Sequence, residues 1–319
     1  MHYLARHKMI LLTGSSGFIG SNLTKELDQR NIKYLPVSRR KDYPNKKNFY
    51  PIANIDESTN WTFALKECSA VIHTAARVHI MNDSSKDPLA KFRKVNVDGT
   101  INLARQSIEE GIKRFIYLST IKVNGDNTEI DKPFFYNNTN FPSDPYAISK
   151  FEAEEELKTL CQNSNMDLVI VRPPLVYGPG VKGNFNLLIK AIALNIPLPL
   201  KGIDNRRSLI SIYNLNDFLI KCLNFEGSLN ETFLISDDQD LSTSELISKI
   251  CFYMKKKDLS FKLSETMLIN LFSFIRKQKE ILRLTNNLQV DISYSKEKVS
   301  WAPIFTVEDS LKEMFSTDQ

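Results

Sequence analysis

Long apolar runs are missing from this sequence of 319 residues. A membrane-spanning helix needs about 20 consecutive apolar residues. The longest apolar stretch, at residues 267–275, is about half that length and is interrupted by Asn270 and Ser273. We therefore expect no integral membrane segment. Residues 1–7 also lack the apolar centre of a signal peptide, so we expect a cytoplasmic protein.

Cysteine is scarce as well, and no strong excess of one charge sign is present. The four cysteines are far apart and their spacing does not suit zinc, so we expect buried free thiols and no metal site. The net charge of +5 is spread along the chain. The basic runs at residues 255–257 and 276–279 contain no interleaved aromatic residues, which predicts solvated faces and no nucleic-acid partner.

Glycine is also infrequent, yet three of the eleven glycines, Gly14, Gly17 and Gly20, lie within seven residues. An apolar strand precedes them at residues 9–13, and a helix is predicted from Phe18 to about residue 29. Such a turn lets a diphosphate approach the backbone at the helix N-terminus, where unpaired N–H groups favour anions. The pattern predicts a dinucleotide-binding α/β fold with a doubly wound parallel sheet.

The second predicted strand, at residues 33–37, ends in Ser38, Arg39 and Arg40. An acidic residue at this point would bind the ribose 2′-hydroxyl of NAD, whereas serine and arginine suit a 2′-phosphate. The sequence therefore favours NADP(H), with NAD(H) as the alternative.

The next predicted strand, at residues 70–73, is followed by the small residues Ala75 and Ala76, which would let a cofactor lie close to the backbone. A long helix is predicted over residues 87–111 with Asn96 in its middle. This polar residue either lies on the surface or reaches inward towards the active centre.

Tyr146 and Lys150 are the best catalytic candidates, because residues four apart share one helix face. A nearby ammonium would lower the pKa of the phenol and make it useful in acid–base chemistry. Ser119 or Thr120, at the end of the strand predicted over residues 114–118, could hold the substrate oxygen. The alternative is a surface pair without function.

The later part of the chain predicts a smaller C-terminal substrate-binding domain. A further strand at residues 167–172 leads into a segment rich in proline and glycine, and Arg207 could bind the diphosphate of a nucleotide-linked substrate. We assign residues 1–177 to the cofactor-binding domain, with residues 209–238 returning to it, and residues 178–208 and 239–319 to the substrate-binding domain.

Taken together, these segments resemble the extended short-chain dehydrogenase/reductase family of nucleotide-sugar epimerases, dehydratases and reductases. The resemblance covers nearly the whole chain through TGSSGFIG (13–20), HTAAR (73–77), NVDGT (96–100), YLSTIKVNG (117–125), YAISK (146–150), RPPLVYGPG (172–180) and NRRSLI (205–210). It implies a Rossmann-like fold and a homodimer that binds a UDP-linked sugar.

The resemblance also implies roles for individual residues. Thr120, Tyr146 and Lys150 would be catalytic, and Thr120, Asn184 and Arg207 would bind the substrate. The cofactor would be bound by Gly14, Gly17, Phe18, Ile19, Gly20, Ser38, Arg39, Ala75, Ala76, Lys150 and Pro173.

Within the family, the chain looks most like bacterial reductases that convert a UDP-4-keto-6-deoxy-N-acetylhexosamine to UDP-N-acetylquinovosamine for surface polysaccharide. UDP-glucose 4-epimerases carry an acid where Ser38 stands and an asparagine where Leu175 stands. An NADPH-dependent 4-ketoreductase is thus our first hypothesis. The alternatives are a UDP-glucose or UDP-N-acetylglucosamine 4-epimerase with tightly bound NAD and, more remotely, a regulator that binds NADP without catalysis.

Overall fold

The computed structural model describes residues 9–39, 49–78, 87–138, 141–264, 267–268 and 278–316. The strands in these ranges are β1 (Ile10–Thr13), β2 (Tyr34–Ser38), β3 (Tyr50–Pro51), β4 (Ala70–His73), β5 (Arg114–Leu118), β6 (Asp167–Arg172), β7 (Leu175–Tyr177), β8 (Leu209–Ser211) and β9 (Glu231–Leu234). Seven of them form one parallel sheet in the order β3-β2-β1-β4-β5-β6-β9, and β7 pairs with β8.

Helices cover the sheet. They are α1 (Phe18–Gln29), α2 (Thr62–Leu65), α3 (Pro88–Arg93), α4 (Gly99–Glu109), α5 (Pro145–Cys161), α6 (Gly183–Ala193), α7 (Ile212–Leu223), α8 (Thr243–Tyr253), α9 (Gln278–Thr285), α10 (Ser293–Val299) and α11 (Val307–Ser316). Because β1 lies between β2 and β4, the strand order reverses there. In doubly wound sheets, ligands bind beside the carboxyl ends of the strands at such a point.

Alternating side chains of the strands pack into two apolar layers, one on each face of the main sheet. Ile10 and Leu12 of β1 pack with α1 and α7 on one face, whereas Leu11 packs with α4 and α5 on the other. Both faces are therefore buried, which explains why the strands are apolar throughout. The predicted Rossmann-like α/β fold is confirmed, and the four cysteines are buried free thiols as expected.

The later segments form a third apolar layer around α6, α8 and α11, in which Phe185, Ile250 and Leu311 are buried. β9 returns to the main sheet beside β6. The boundaries assigned above to the two domains stay a prediction.

The helix predicted over residues 87–111 is present but not uniform. Between α3 and α4 the segment Lys94–Asp98 is π-helical, and it contains Asn96. Such wide turns often mark functional sites in helices. Asn96 is buried, and its amide donates to Ser149 Oγ and to the carbonyl of Arg77, both at 3.0 Å. The inward alternative for Asn96 is therefore correct.

Candidate active site

The glycine turn joins β1 to α1 in a conformation that side chains would prevent. Gly14 has a φ of +73°, and a Cβ on Gly20 would lie 2.2 Å from the Gly14 carbonyl oxygen. No side chain caps the helix at Gly17, and its first turn holds no acidic residue. Phe18 and Ile19 begin α1 and pack half-buried on the core. The exposed backbone N–H groups fit the diphosphate of a dinucleotide.

The end of β2 is tied to this turn. Ser15 Oγ donates to the carbonyl of Val37 at 2.7 Å. Ser38 is buried at 2% exposure, whereas Arg39 is exposed, and Arg40 lies outside the described residues. Among the described residues predicted to hold a 2′-phosphate, Arg39 thus offers positive charge at the surface.

Three further predicted cofactor residues lie at the ends of β4 and β6. Ala75 and Ala76 are half-buried, and a Cβ on Gly14 would lie 2.7 Å from the Ala75 nitrogen, so the two segments are in close contact. Pro173 is buried, and its carbonyl accepts from the N–H of Ile121 at 2.9 Å. The structure therefore brings these residues to the same edge of the sheet.

His73 ends β4 but is part of the core. Its ring nitrogens lie 2.6 Å from Thr13 Oγ1 and 3.0 Å from Thr100 Oγ1, and the ring stacks on Tyr117. Burial lowers the pKa of His73 to about 3, so it is neutral at physiological pH. These contacts indicate a structural role.

Tyr146 and Lys150 lie in the first two turns of α5. Asp144 caps this helix by accepting from the N–H of Ala147 at 3.1 Å. Lys150 is 1% exposed, and its Nζ donates to the Leu118 carbonyl at 2.8 Å. The edge of the Phe92 ring lies against the half-buried Tyr146 ring, with centroids 6.0 Å apart. The helix thus holds both groups against the carboxyl end of β5.

The expected pKa shift of Tyr146 is wrong in direction. Burial, with a further contribution from Asp144, raises the pKa of Tyr146 to about 12. Burial also lowers the pKa of Lys150 to about 7, against the opposing effect of Glu154. The spacing of four residues predicted proximity, but it could not predict that the ammonium binds the Leu118 carbonyl or that the phenol loses solvent.

The two candidate hydroxyls at the end of β5 face different surroundings. Ser119 is buried, and its hydroxyl donates to Glu154. Thr120 is half-buried, and its Oγ1 accepts from the N–H of Lys122 at 3.3 Å. Since the Ser119 hydroxyl is bound to an interior carboxylate, Thr120 is the better placed of the two to reach a substrate.

Behind these residues lies an ion pair that the sequence analysis missed. Glu154 and Arg172 are 0% and 1% exposed, and Arg172 also donates to Asn124 at 3.0 Å. Glu154 itself had a signal in the sequence, because it follows Lys150 by four residues and extends the same helix face inward, but nothing local marks Arg172 as its partner.

The predicted substrate residues lie in the later part of the chain. Asn184 is half-buried in the first turn of α6. Arg207 donates to the carbonyl of Asn286 at 2.9 Å, and burial together with Arg283 lowers its pKa to about 10. Arg283 on α9 was also missed. Guanidinium groups bind phosphate oxygens well, so Arg207 and Arg283 are candidates for holding a diphosphate.

A short path of contacts connects this site with the end of β5. Pro173, which binds Ile121, leads directly into β7, and Leu175 of β7 pairs with Leu209 of β8. Arg207 lies two residues before β8. The proposed diphosphate site and the end of β5 are thus linked through one small sheet.

Comparison with known proteins identifies the family of this chain. A sequence profile described as the NAD dependent epimerase/dehydratase family matches residues 10–236. The chain belongs to this family. It is 41% identical over 310 residues to a Vibrio cholerae UDP-glucose 4-epimerase, covering 96% of this chain and 94% of the relative.

Solved structures share the fold of this epimerase/dehydratase family member. A Thermotoga maritima UDP-glucose 4-epimerase with UDP-glucose has a TM-score of 0.76 at 21% identity and covers 97% of both chains. A Bacillus cereus UDP-glucuronic acid 4-epimerase in complex with NAD gives the same TM-score, identity and coverage. At such identities the likeness concerns the fold alone.

The predicted family and its enzymatic nature are confirmed. The finer prediction of a 4-ketoreductase is not confirmed, since the relative at 41% identity is named an epimerase. The preference for NADP is not confirmed either, because the description of the family profile names NAD. Among the helices in the described residues, none is long and apolar enough to cross a membrane.

Proposed function

We propose that this protein is a UDP-hexose 4-epimerase that uses NAD. The observation that carries the proposal is the arrangement of Tyr146, Lys150 and Thr120 around the carboxyl end of β5, in a chain similar along nearly its whole length to a UDP-glucose 4-epimerase.

Epimerisation at C4 requires the C4 hydroxyl to lose a proton while its carbon loses a hydride. NAD, which the glycine turn with Gly14, Gly17 and Gly20 would hold, would supply the hydride acceptor for C4 and the hydride for its return. Tyr146 takes the hydroxyl proton and gives it back to the carbonyl oxygen of the keto sugar. Thr120 hydrogen-bonds the same oxygen, and the Lys150 ammonium stabilises the phenolate. Charge develops on oxygen, so donors fixed beforehand supply much of the rate.

Tyr146 with a pKa of about 12 is a neutral phenol at physiological pH, and a neutral phenol is a weak base. A cation beside the phenol favours the phenolate, and the Lys150 ammonium, four residues along α5, is a cation that this chain provides.

Arg207 and Arg283 would hold the diphosphate of the substrate. Burial lowers the pKa of Arg207, and the positive charge of Arg283 lowers it further, so the two cations repel each other and a diphosphate between them would relieve that repulsion. Asn184, at the start of α6, would add a polar contact to the nucleotide sugar.

A second candidate is the NADPH-dependent reduction of a UDP-4-keto-6-deoxy-N-acetylhexosamine. It is favoured by Ser38 and Arg39, which stand where an acid would bind an NAD ribose. It is also favoured by Leu175, which stands where UDP-glucose 4-epimerases carry an asparagine. This apolar side chain is 43% exposed and lies two residues after Pro173, which binds Ile121 just after β5. The same three catalytic residues would serve this reaction, with Tyr146 as the proton donor.

One pair of assays distinguishes the two candidates. An epimerase must keep its cofactor through a full cycle, so the purified protein should contain NAD and interconvert UDP-glucose and UDP-galactose, or their N-acetyl forms, without added nucleotide. A reductase should instead consume NADPH stoichiometrically with the 4-keto sugar and interconvert neither pair. That second result would replace the epimerase with the reductase.

We also propose a homodimer formed through α3, α4 and α5. Phe141 is 75% exposed, and its ring contacts Phe151 of α5 edge-on at 5.6 Å. Arg93 of α3 pairs with Glu152 of α5, which holds the two helices as one surface. Light scattering should give twice the monomer mass, and Phe141→Asp should give the monomer.

A further inference from the structure

One face of helix α5 runs from the proposed catalytic site into the interior of the protein. Tyr146 is half-buried, Lys150 is 1% exposed and Glu154 is 0% exposed, at successive spacings of four residues. Glu154 thus places a carboxylate in the core beneath the proposed catalytic pair. Its cationic partner is Arg172, the last residue of β6.

The contacts of this pair reach the end of β5 and the loop at residues 135–138. Arg172 Nε donates to both oxygens of Glu154, at 3.0 and 3.1 Å, and Nη2 donates at 2.5 Å. Ser119 donates to the same carboxylate. Arg172 Nη1 donates to Asn124, whose amide binds two carbonyls of the loop at residues 135–138, each at 3.1 Å.

We propose that Glu154 and Arg172 are positioning residues for the reaction proposed above, which fix Thr120 towards the substrate and support the Lys150 ammonium. Thr120 has extended dihedral angles, with φ −156° and ψ 146°. Neighbouring side chains of an extended chain point to opposite sides. Because Glu154 holds the Ser119 hydroxyl inward, Thr120 faces the other way.

The charge of Glu154 acts on Lys150 as well. Burial lowers the pKa of Lys150 to about 7, and Glu154 opposes that effect. Loss of this carboxylate would lower the pKa of Lys150 further, so Lys150 would lose its proton at a lower pH. The titratable and charged side chains around the ammonium are Tyr146 and Glu154 on α5, Tyr117 on β5, His73 on β4 and Arg172 on β6.

Stability alone does not require this ion pair. Replacing a buried ion pair with apolar residues of similar volume is often neutral or stabilising, whereas removal of one partner is strongly destabilising. The double variant Glu154→Leu/Arg172→Met therefore separates a structural role from a positioning role. Ser119→Ala, which removes a single hydroxyl, and Glu154→Gln, which keeps the shape, complete the set.

The test measures Tm, kcat and KM, and the pH dependence of kcat, for each variant. We expect the double variant to keep a Tm close to that of the wild type while kcat falls roughly 10- to 100-fold with little change in KM. Ser119→Ala should lower kcat without lowering Tm. In Glu154→Gln the alkaline limb of kcat should move to lower pH. Asp167→Asn, at the other end of β6, is the matched control and should leave kcat and its pH profile unchanged.

Wild-type kcat and an unshifted alkaline limb in the double variant and in Glu154→Gln would overturn the proposal. Failure of the proposed function is recognised separately, because the wild type would then not interconvert the UDP-hexoses. In that case calorimetry measures the NAD⁺ affinity at a series of pH values, because Lys150 is also a predicted cofactor-binding residue. Glu154→Gln should lose affinity at a lower pH than the wild type, and coincident curves would overturn the positioning role.

Discussion

The proton transfer proposed for this enzyme depends on one phenol oxygen, that of Tyr146. Tyr146→Phe keeps the ring that packs against Phe92 but removes the group that exchanges the proton. We expect turnover to fall roughly 10²- to 10⁴-fold with NAD affinity retained. Tyr253→Phe, on α8, is the matched control and should leave turnover unchanged. Turnover near the wild-type value in the Tyr146 variant would exclude this residue as the acid–base group.

Two neighbouring arginines allow an equally direct test of substrate binding. Arg207 is close enough to Arg283 to have its pKa lowered, whereas Arg206 pairs with Asp131 at the surface. A charge-assisted hydrogen bond contributes about 1.5–3 kcal/mol, so Arg207→Ala should raise KM roughly 10- to 100-fold. Arg206→Ala should leave KM close to that of the wild type. Similar KM values for the two variants would place the diphosphate elsewhere.

The glycine turn couples the packing of α1 to cofactor binding, and two substitutions separate these effects. A Cβ on Gly20 would lie 2.2 Å from the Gly14 carbonyl oxygen, so Gly20→Ala should push α1 from the turn and lower Tm. At Gly17 the φ is −80° and the nearest atom would be 3.2 Å away, so Gly17→Ala fits after a small adjustment.

Gly17→Ala should therefore keep the Tm of the protein without cofactor but weaken NAD binding, because the new methyl group stands at the helix N-terminus where the diphosphate is expected. Thermal unfolding and calorimetric titration measure the two quantities. Unchanged NAD affinity in Gly17→Ala would contradict a diphosphate at this turn.

The elements that the sequence predicted well are those whose pattern is local. β4, β5 and β6 were predicted with the bounds that the structure shows, because buried parallel strands are continuous apolar runs. The start of α1 followed from the glycine spacing. Tyr146 and Lys150 were recognisable by their spacing of four residues.

The parts that were missed depend on contacts between distant segments. Glu154 and Arg172 are 18 residues apart in sequence, on a helix and on a strand, and no local pattern pairs them. Arg283 acts on Arg207 from α9, a helix far along the chain. The π-helical turn around Asn96 has no sequence signal of its own, and the pKa of Tyr146 depends on burial that only packing determines.

A buried carboxylate joins the main sheet to the later part of the chain. Asp237, just after β9, accepts from Tyr177 Oη at 2.8 Å, from the Ser211 N–H at 2.9 Å and from Asn214 Nδ2 at 2.7 Å. Asn214 in turn accepts from two backbone N–H groups in the turn before α11, each at 3.0 Å. Three segments of the molecule thus meet at one carboxyl group, and Asn214 connects it to a fourth.

This carboxyl group makes the stability of the whole protein depend on pH. Burial raises the pKa of Asp237 above its ordinary value, so the folded state favours the protonated form. Its stabilising contribution is therefore present below the unfolded pKa of about 3.9 and is lost as pH rises through the folded value. Asp237→Asn, which cannot ionise and keeps an oxygen acceptor, should escape that loss.

The Tm of Asp237→Asn minus the Tm of the wild type should consequently increase between about pH 4 and about pH 8. The matched control is Asp238→Asn at the next residue, whose exposed carboxylate pairs with Lys296 at the surface. Exposed ion pairs contribute little to stability, so the Tm of this control should follow that of the wild type across the same range. A Tm difference for Asp237→Asn that stays constant or decreases with pH would mean that the interior holds Asp237 as the carboxylate, stabilised by its three hydrogen-bond donors.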